Sequence, residues 1–271
     1  CKGVDVDLEA NLAALVQQDH PNYEVVFVVE SEDDPACAFI ERVTAAHPDR
    51  AVRLVVAGRA RRCGQKIHNL RMATAQLPDD ARMLAFVDSD ARPAPDWLRA
   101  LVSRLDREKI GATTGYRLLV PARPTPANLL LYCVNCTIAL MFGPGGHHLV
   151  WGGSWAIRRD VFEAIRLRDA WRGTLSDDLV VSGELKRARL GIEFIPECLV
   201  ISPVDLTMAA TCEFMRRQYL ITRCYAARFW AFGVAVAVVS NVGCWGAIAA
   251  TAIGASTSAS WTIPAAALAT T

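Results

Sequence analysis

Short apolar runs alternate with amphipathic stretches over the first 110 residues. Each apolar run is typical of a buried strand, and the polar loop after it leads into a stretch with helical periodicity. The predicted strands are 24–29, 52–56 and 83–87, and the predicted helices are 35–46, 66–76 and one that opens at Pro95. This alternation predicts an α/β fold with a doubly wound, mostly parallel sheet and helices on both faces. Such sheets bind their ligands at the carboxyl ends of the strands.

The pattern changes after residue 110. A proline-rich turn at 121–126 precedes an uncharged, glycine-containing segment that continues to residue 157. Its apolar part, 129–142, is too short to cross a bilayer and indicates an interfacial or buried helix. Further on, the predicted elements are strands at 149–157 and 191–195, a helix at 176–188 and an amphipathic helix at 207–228.

The last 43 residues carry no charged side chain. Arg228 is the final charged residue, and 229–271 contains no Asp, Glu, Lys, Arg or His. A helix of about 20 apolar residues crosses a bilayer core, and the stretch from 229 to about 253 satisfies that length. A second span is predicted to begin near Trp261 and to be cut short, which, with the opening at Cys1, indicates a fragment. The alternative is an alanine-rich hairpin buried in a soluble protein.

Arginines precede this tail. By the positive-inside rule, they place residues 1–228 in the cytoplasm and make 229–271 the start of a multi-pass membrane region.

The overall composition narrows the class of protein: the chain is 52% hydrophobic and 21% charged with a net charge of +1. This excludes disorder as the main state and disfavours a nucleic-acid partner, because no positive field collects phosphates. Nine scattered cysteines fit reduced thiols.

Asp88 and Asp90 follow the predicted strand at 83–87 directly. Two carboxylates separated by one residue at a strand end can hold a hard divalent ion such as Mg²⁺ or Mn²⁺. That ion would neutralise a diphosphate and stabilise it as a leaving group. The alternative interpretation is an ordinary polar exit from a strand into a turn.

Three further charged segments are candidates for chemistry. The acidic run 30–34 would receive a nucleoside through hydrogen bonds, or is a solvated loop. In 176–178, Ser176 suits a helix N-cap, and one of the two aspartates after it either serves the helix terminus or acts as a general base on an acceptor hydroxyl. The basic segment 59–66 would supply cations to a diphosphate, or is a solvated or membrane-facing loop.

Several blocks of this sequence, in this order, resemble the ceramide glucosyltransferase family within the family-2-type glycosyltransferases. The resemblance covers residues 2 to about 225. The matching blocks are KGVD at 2–5, NL at 11–12, DHPNYEV at 19–25, DDP at 33–35, QKIHNL at 65–70, DSD at 88–90, VWGGS at 150–154, RRDV at 158–161 and DD at 177–178.

The resemblance implies a GT-A fold in residues 1–228, with a nucleotide-sugar half at 1–110 and an acceptor half at 111–228. It also implies the roles of individual side chains. Asp178 would be the catalytic base, and Asp88 and Asp90 would hold the metal. The implied nucleotide-sugar residues are Glu30, Asp34, Lys66, Asp88 and Asp177, and those on the acceptor or product side are Trp151, Gly152, Arg217 and Gln218.

The expected activity is therefore the inverting transfer of a hexose, with glucose expected, from a UDP-sugar to a lipid hydroxyl such as that of ceramide. One motif departs from the family pattern. The family's Arg/Gln-x-x-Arg-Trp corresponds here to RQYLI at 217–221, which retains only Arg217. The acceptor thus stays open. A membrane polysaccharide synthase of the same superfamily and a non-catalytic, membrane-tethered nucleotide-sugar binding protein are the alternatives.

Overall fold

Six strands and ten helices make up the described part of the chain. The computed structural model describes residues 1–4, 7–139 and 149–256, with side chains to residue 253. The strands are β1 (Glu24–Val29), β2 (Ala51–Val56), β3 (Met83–Val87), β4 (Ile110–Pro121), β5 (Ser154–Arg158) and β6 (Gly191–Val204). The helices are α1 (Leu8–Val16), α2 (Ala36–Ala46), α3 (Gln65–Ala73), α4 (Trp97–Val102), α5 (Pro126–Ala139), α6 (Arg159–Ala164), α7 (Leu167–Ala170), α8 (Asp177–Arg187), α9 (Met208–Tyr225) and α10 (Ala227–Ser256).

The strands form two sheets. β1 and β2 pair in parallel, and a four-stranded sheet has the order β3-β5-β4-β6. In this larger sheet β4 and β6 are parallel, but β5 runs antiparallel to both β3 and β4. The α/β class is confirmed, but the larger sheet is mixed, and a doubly wound, mostly parallel sheet is not confirmed. The reason is that β5 starts beside the last residue of β3, with Ser154 opposite Val87, and runs back from that edge.

Strand β4 is the main element that the sequence pattern does not predict. It makes the longest strand pairing of the fold, with β6, and the register shifts between Thr114 and Tyr116. Gly115 occupies this irregularity because a Cβ atom there would lie 2.2 Å from the carbonyl oxygen of Cys198. Such shifts re-aim the side chains that follow them. The predicted strand 191–195 is correspondingly longer, and continues to Val204.

Stacked aromatic rings fill the core between the larger sheet and helices α6 to α8. The rings of Phe86 and Trp155 stack at a centroid distance of 4.2 Å, and Trp171 meets Phe86 edge-on at 5.9 Å. Trp155 and Trp171 are fully buried. Aromatic pairs of this geometry add about 0.5–1.5 kcal/mol each beyond their buried area. The core therefore fixes β3 and β5, whose ends carry the predicted acidic site.

The chain divides into two compact units, Cys1–Arg216 and Arg217–Thr271. In the second unit, Ala227–Ile253 is a 27-residue stretch that is long and apolar enough to cross a membrane, and it is the one such helix among the described residues. Its side chains include Val239 and Val242, which are 71% and 68% exposed. The predicted second span from Trp261 lies outside the described residues. So do positions 140–142 of the predicted apolar helix, of which α5 covers the rest.

Candidate active site

The amine of Lys66 is the centre of a cluster of acidic side chains. Its Nζ lies 2.9 Å from Oδ1 of Asp88 and 3.2 Å from Oδ1 of Asp177, and it donates a hydrogen bond of 3.0 Å to the carbonyl oxygen of Gly152. Lys66 stands in the first turn of α3, Asp88 follows β3, and Asp177 opens α8. The fold thus brings together three segments that are widely separated in the sequence.

The start of α3 is held by Gln65. Its side-chain amide donates to the carbonyl oxygen of Gly58 at 2.8 Å, and its Oε1 accepts from the backbone N–H of Ala60 at 2.8 Å. A further bond of 2.8 Å joins it to Oδ1 of Asn69, one helical turn later. These contacts hold the basic segment 59–66 against the start of the helix. Among the described contacts, Lys66 is the one basic residue of that segment that pairs with the acidic cluster.

Asp177 and Asp178 lie in the first turn of α8, where Ser176 is the N-cap and accepts from the N–H of Leu179 at 3.2 Å. The carboxylate of Asp178 accepts from the same N–H at 2.7 Å, contacts the Ser176 hydroxyl, and accepts from the N–H of Gly152 at 3.1 Å through Oδ2. Carboxylates at a helix N-terminus are stabilised by the helix dipole. Ser176 therefore caps α8 while the two aspartates after it contact the acidic cluster, so the capping interpretation and the active-site interpretation of this segment do not exclude each other.

The two neighbouring aspartates differ in burial. The side chain of Asp177 is 6% exposed, and its Oδ2 is buried with no hydrogen-bond partner in the described part of the chain. Burial raises the pKa of Asp177 to about 7 against the opposing charge of Lys66, and the charges of Asp178 and Asp88 add to the increase. Asp178 is only partly buried. Of the two, Asp178 is therefore the one that can meet a substrate.

Burial and nearby charges also oppose each other at Lys66, but there the charges have the larger effect on the pKa. Burial acts to lower the pKa of its amine, but the charges of Asp88 and Asp177 outweigh that effect and hold the pKa of Lys66 above its ordinary value. The lysine is accordingly a permanent cation. It keeps Asp88 and Asp177 in place while 45% of its own side chain stays exposed.

The loop 150–153 crosses this cluster and is fixed by backbone hydrogen bonds. The N–H of Val150 donates to the hydroxyl of Ser182 at 2.8 Å, and the N–H of Trp151 donates to the hydroxyl of Thr114 at 2.9 Å. At Gly152, a Cβ atom would lie 3.1 Å from Oδ2 of both aspartates of α8. The absence of a side chain at this position therefore allows the loop to approach the two carboxylates.

Asp90, the second carboxylate of the D-x-D pair, has a different partner from Asp88. Its Oδ2 lies 2.7 Å from Nη2 of Arg117 on β4, and its carbonyl oxygen accepts from the hydroxyl of Ser202 at 3.4 Å. The backbone N–H of Asp88 donates to the carbonyl oxygen of Gly153 at 3.2 Å. Each carboxylate of the pair thus has a basic side chain within ion-pair distance, Lys66 for Asp88 and Arg117 for Asp90.

Glu30 and Asp34 have contacts of their own. Oδ1 of Asp34 accepts from the N–H groups of Ala36 and Gly3, both at 2.9 Å, so this side chain supports the start of α2. Glu30 lies 3.9 Å from the amine of Lys2. Within the described ranges, no hydrogen bond or ion pair joins either residue to the Lys66 cluster.

The predicted acceptor-side residues fall into two groups. Trp151 and Gly152 belong to the loop that contacts the cluster, and the ring of Trp151 lies 5.8 Å from that of Tyr116. Arg217 and Gln218 lie on α9, in the second unit of the chain. Their part in the site stays a prediction.

The sequence interpretation assigns no individual role to four residues that support the site. Thr114 and Ser182 hold the loop 150–153, Arg117 pairs with Asp90, and the hydroxyl of Ser154 accepts from the indole N–H of Trp97 at 2.8 Å. Two of them belong to the unpredicted strand β4. Its β-branched residues at 110, 113, 114 and 120 are the signal in the sequence that could have revealed it.

The donor set suits a hard divalent ion. Asp88 and Asp90 offer carboxylate oxygens, the ligands that Mg²⁺ and Mn²⁺ prefer. The described part of the chain contains no preformed group of three metal-ligating side chains. Phosphate oxygens and water would therefore complete the coordination of an ion held by Asp88 and Asp90.

The chain is similar to known proteins both in sequence and in fold. The family model described as glycosyl transferase family 21 matches residues 1–271. The fold is similar to that of a mannosyltransferase from Pyrobaculum calidifontis in complex with GDP-Man and Mn²⁺, with a TM-score of 0.59 and 22% identity over 81% of this chain. The chain spans 59% of that protein's length. A mycobacterial protein of known structure matches 76% of this chain and 67% of its own, with 15% identity and a TM-score of 0.46.

Proposed function

Because the chain belongs to glycosyl transferase family 21, we propose that it is a glycosyltransferase. It would transfer a hexose from a UDP-sugar to a lipid hydroxyl such as that of ceramide, with inversion at the anomeric carbon. We take glucose as the expected hexose. The observation that carries the proposal is the convergence of Asp88, Asp177 and Asp178 around Lys66 and the Gly152 loop. A divalent metal at Asp88 and Asp90 would neutralise the diphosphate when bound.

Asp178 is the proposed catalytic base. It is more exposed than Asp177, and three donors hold its carboxylate in one orientation: the N–H groups of Gly152 and Leu179 and the hydroxyl of Ser176. In the reaction, an Asp178 oxygen accepts the proton of the acceptor hydroxyl. The freed oxygen forms a bond to the anomeric carbon while the bond from that carbon to the UDP oxygen breaks on the opposite face. One displacement inverts the configuration.

Lys66 and Asp177 have supporting parts in this proposal. Lys66 is a cation that stays charged at neutral pH, and it holds Asp88 at the position where the donor's diphosphate would bind. Asp177 is too buried to reach an acceptor, and its negative charge instead stabilises the Lys66 cation. The carbonyl of Gly152 accepts from the same amine. We propose Glu30 and Asp34 for the nucleoside end of the donor, and Trp151, Arg217 and Gln218 for the acceptor side.

A lipid acceptor agrees with the two apolar helices. The candidate span Ala227–Ile253 would anchor the protein, with the catalytic unit in the cytoplasm, and α5 has exposed apolar side chains at Leu129, Leu130 and Ile138. An interfacial position of α5 would present an acceptor that never leaves the bilayer. A multi-pass arrangement is part of the same proposal.

The test uses the full chain in detergent or native membranes, labelled UDP-glucose, Mn²⁺ and ceramide. We expect a lipid product with inverted anomeric configuration, detected by chromatography and NMR. Asp178→Asn should abolish transfer while UDP still binds. Asp80→Asn, at an exposed loop position, is the matched control and should transfer normally.

Three results would contradict parts of the proposal. Unchanged turnover in Asp178→Asn would remove the base role. Transfer into a growing glycan and not into lipid would favour a polysaccharide synthase. UDP-sugar binding without transfer to any acceptor would favour a nucleotide-sugar binding protein that does not catalyse.

A further inference from the structure

Arg117 is a partly buried cation that pairs with one of the two carboxylates proposed for the metal. Its side chain is 20% exposed, and its Nη2 lies 2.7 Å from Oδ2 of Asp90. The Nε atom of the same guanidinium is buried and has no hydrogen-bond partner among the described residues. Arg117 therefore has one anionic partner in the described structure and an unused donor beside it.

The backbone of Arg117 is fixed on both sides. The irregularity at Gly115 directs the residues after it, and the carbonyl oxygen of Arg117 accepts from the Asn135 side chain of α5 at 3.1 Å. The same asparagine accepts from the N–H of Leu119 at 2.9 Å. Strand β4 therefore stays in place while the guanidinium end can turn by side-chain rotation alone.

A divalent ion at Asp90 would break this pair. The carboxylate that would bind the metal is the one that neutralises Arg117, and a partly buried guanidinium that loses its anionic partner is disfavoured. The metal also places two positive charges close to a third, which repel at this short range. Both effects are removed when a nucleoside diphosphate arrives with the metal, because its phosphate oxygens offer Arg117 a new bidentate partner.

We propose that Arg117 couples metal binding to donor binding: it occupies Asp90 in the absence of donor and passes to the diphosphate when the metal takes Asp90. The inference rests on the proposed function, since it needs the UDP-sugar and the metal. It assigns Arg117 as a binding residue for the donor diphosphate. The metal alone then binds weakly, and the metal with nucleotide binds tightly.

The experiment measures Mn²⁺ affinity of the full chain by the EPR signal of free Mn²⁺, with and without saturating UDP. In the wild type we expect UDP to tighten Mn²⁺ binding by about 30-fold or more, within the usual range of coupling between two ligands. Arg117→Met should bind Mn²⁺ alone about tenfold tighter than the wild type, because one repelling charge is gone. In this variant the effect of UDP should fall to about fivefold or less, near the low end of that coupling range. As a control, Arg123→Met removes an exposed arginine that pairs with Asp205, and it should behave as the wild type does.

A second variant tests the same coupling from the other side. Asp90→Asn removes the partner of Arg117 and leaves the guanidinium available, so UDP without metal should bind about fivefold tighter than in the wild type, and Mn²⁺ should no longer improve it. A purely structural role for the pair does not increase nucleotide affinity. This variant also keeps the test open if Arg117→Met folds poorly.

Two outcomes overturn the inference and can be told apart. If Mn²⁺ and UDP bind cooperatively and equally in the wild type, Arg117→Met and Asp90→Asn, the assignment of Arg117 fails and the proposed function stands. If the wild type binds neither Mn²⁺ nor UDP, both the inference and the proposed metal-dependent transfer fail.

Discussion

Replacing Lys66 by methionine removes the cation between Asp88 and Asp177 with little change in side-chain volume. The carboxylate of Asp177 then stays buried at 6% exposure without a partner of opposite charge. Breaking a buried pair from one side costs about 3–5 kcal/mol, and since 45% of the Lys66 side chain is exposed we take the low end, about 3 kcal/mol at pH 8. The variant should be less stable than the wild type by that amount.

The loss should depend on pH in a defined direction. The pKa of Asp177 is raised from 3.8 to about 7 in the folded protein, so the folded state holds this proton more tightly than the unfolded chain does. Its stabilising contribution, about 4 kcal/mol at 1.36 kcal/mol per pKa unit, is complete below pH 3.8 and is lost as the pH rises through 7. Without Lys66 the pKa of Asp177 rises further, and the carboxyl stays protonated at pH 6.

At pH 6 the cost of Lys66→Met should be about 1.4 kcal/mol smaller than at pH 8, because one proton changes the stability by about 1.36 kcal/mol per pH unit above the wild-type pKa of about 7. The rest of the cost comes from the ion pairs that Lys66 makes with Asp88 and Asp177. Urea unfolding followed by tryptophan fluorescence at pH 6 and pH 8 measures both values, since the indole N–H of Trp171 donates to the carbonyl oxygen of Asp177. The double variant Lys66→Met/Asp177→Asn should recover most of the stability at pH 8, because the uncompensated charge is gone. Lys186→Met, exposed in the last turn of α8, is the control.

Equal losses at the two pH values would refute the reasoning, because burial of the Asp177 charge would then not be the cause. The same holds if Asp177→Asn fails to restore the Lys66→Met protein at pH 8. A loss of stability in Lys186→Met as large as in Lys66→Met would show that a general effect of charge on the fold dominates.

Three further predictions follow from single contacts. Gly152→Ala places a Cβ atom 3.1 Å from the carboxylates of α8 and should lower sugar transfer by about tenfold or more at nearly unchanged stability, measured by kcat against the unfolding midpoint. Ser154→Ala leaves the indole N–H of Trp97 buried and unpaired, and should cost about 1–3 kcal/mol in urea unfolding; a neutral result would contradict the role of this bond. Val239→Arg combined with Val242→Arg should move the protein out of the carbonate-resistant membrane fraction, because each charge at the bilayer centre costs about 2.5–3.5 kcal/mol, and unchanged fractionation would refute the span.

Elements with a strong local pattern were predictable from the sequence. The run EVVFVV at 24–29 is apolar at 25–29 and forms β1 with the predicted bounds, and the D-x-D pair does follow β3. The Ser176 N-cap and the helix after it form where the sequence places them, because the cap is satisfied within a few residues of the chain. The order of the matching sequence blocks was also enough to identify the family, which the match over residues 1–271 confirms.

Tertiary structure decided what those elements do together. Strand β4 gains its stability from pairing with β6 and β5, so its own sequence carries little signal, yet it supplies Thr114 and Arg117 to the site. The direction of β5 depends on the edge of the sheet at which the chain enters it again. No local sequence pattern carries that information. Asp177 and Asp178 are adjacent identical residues in the sequence. Only the packing of α8 against Lys66 and Gly152 buries one carboxylate and leaves the other accessible, because burial depends on neighbours from distant parts of the chain.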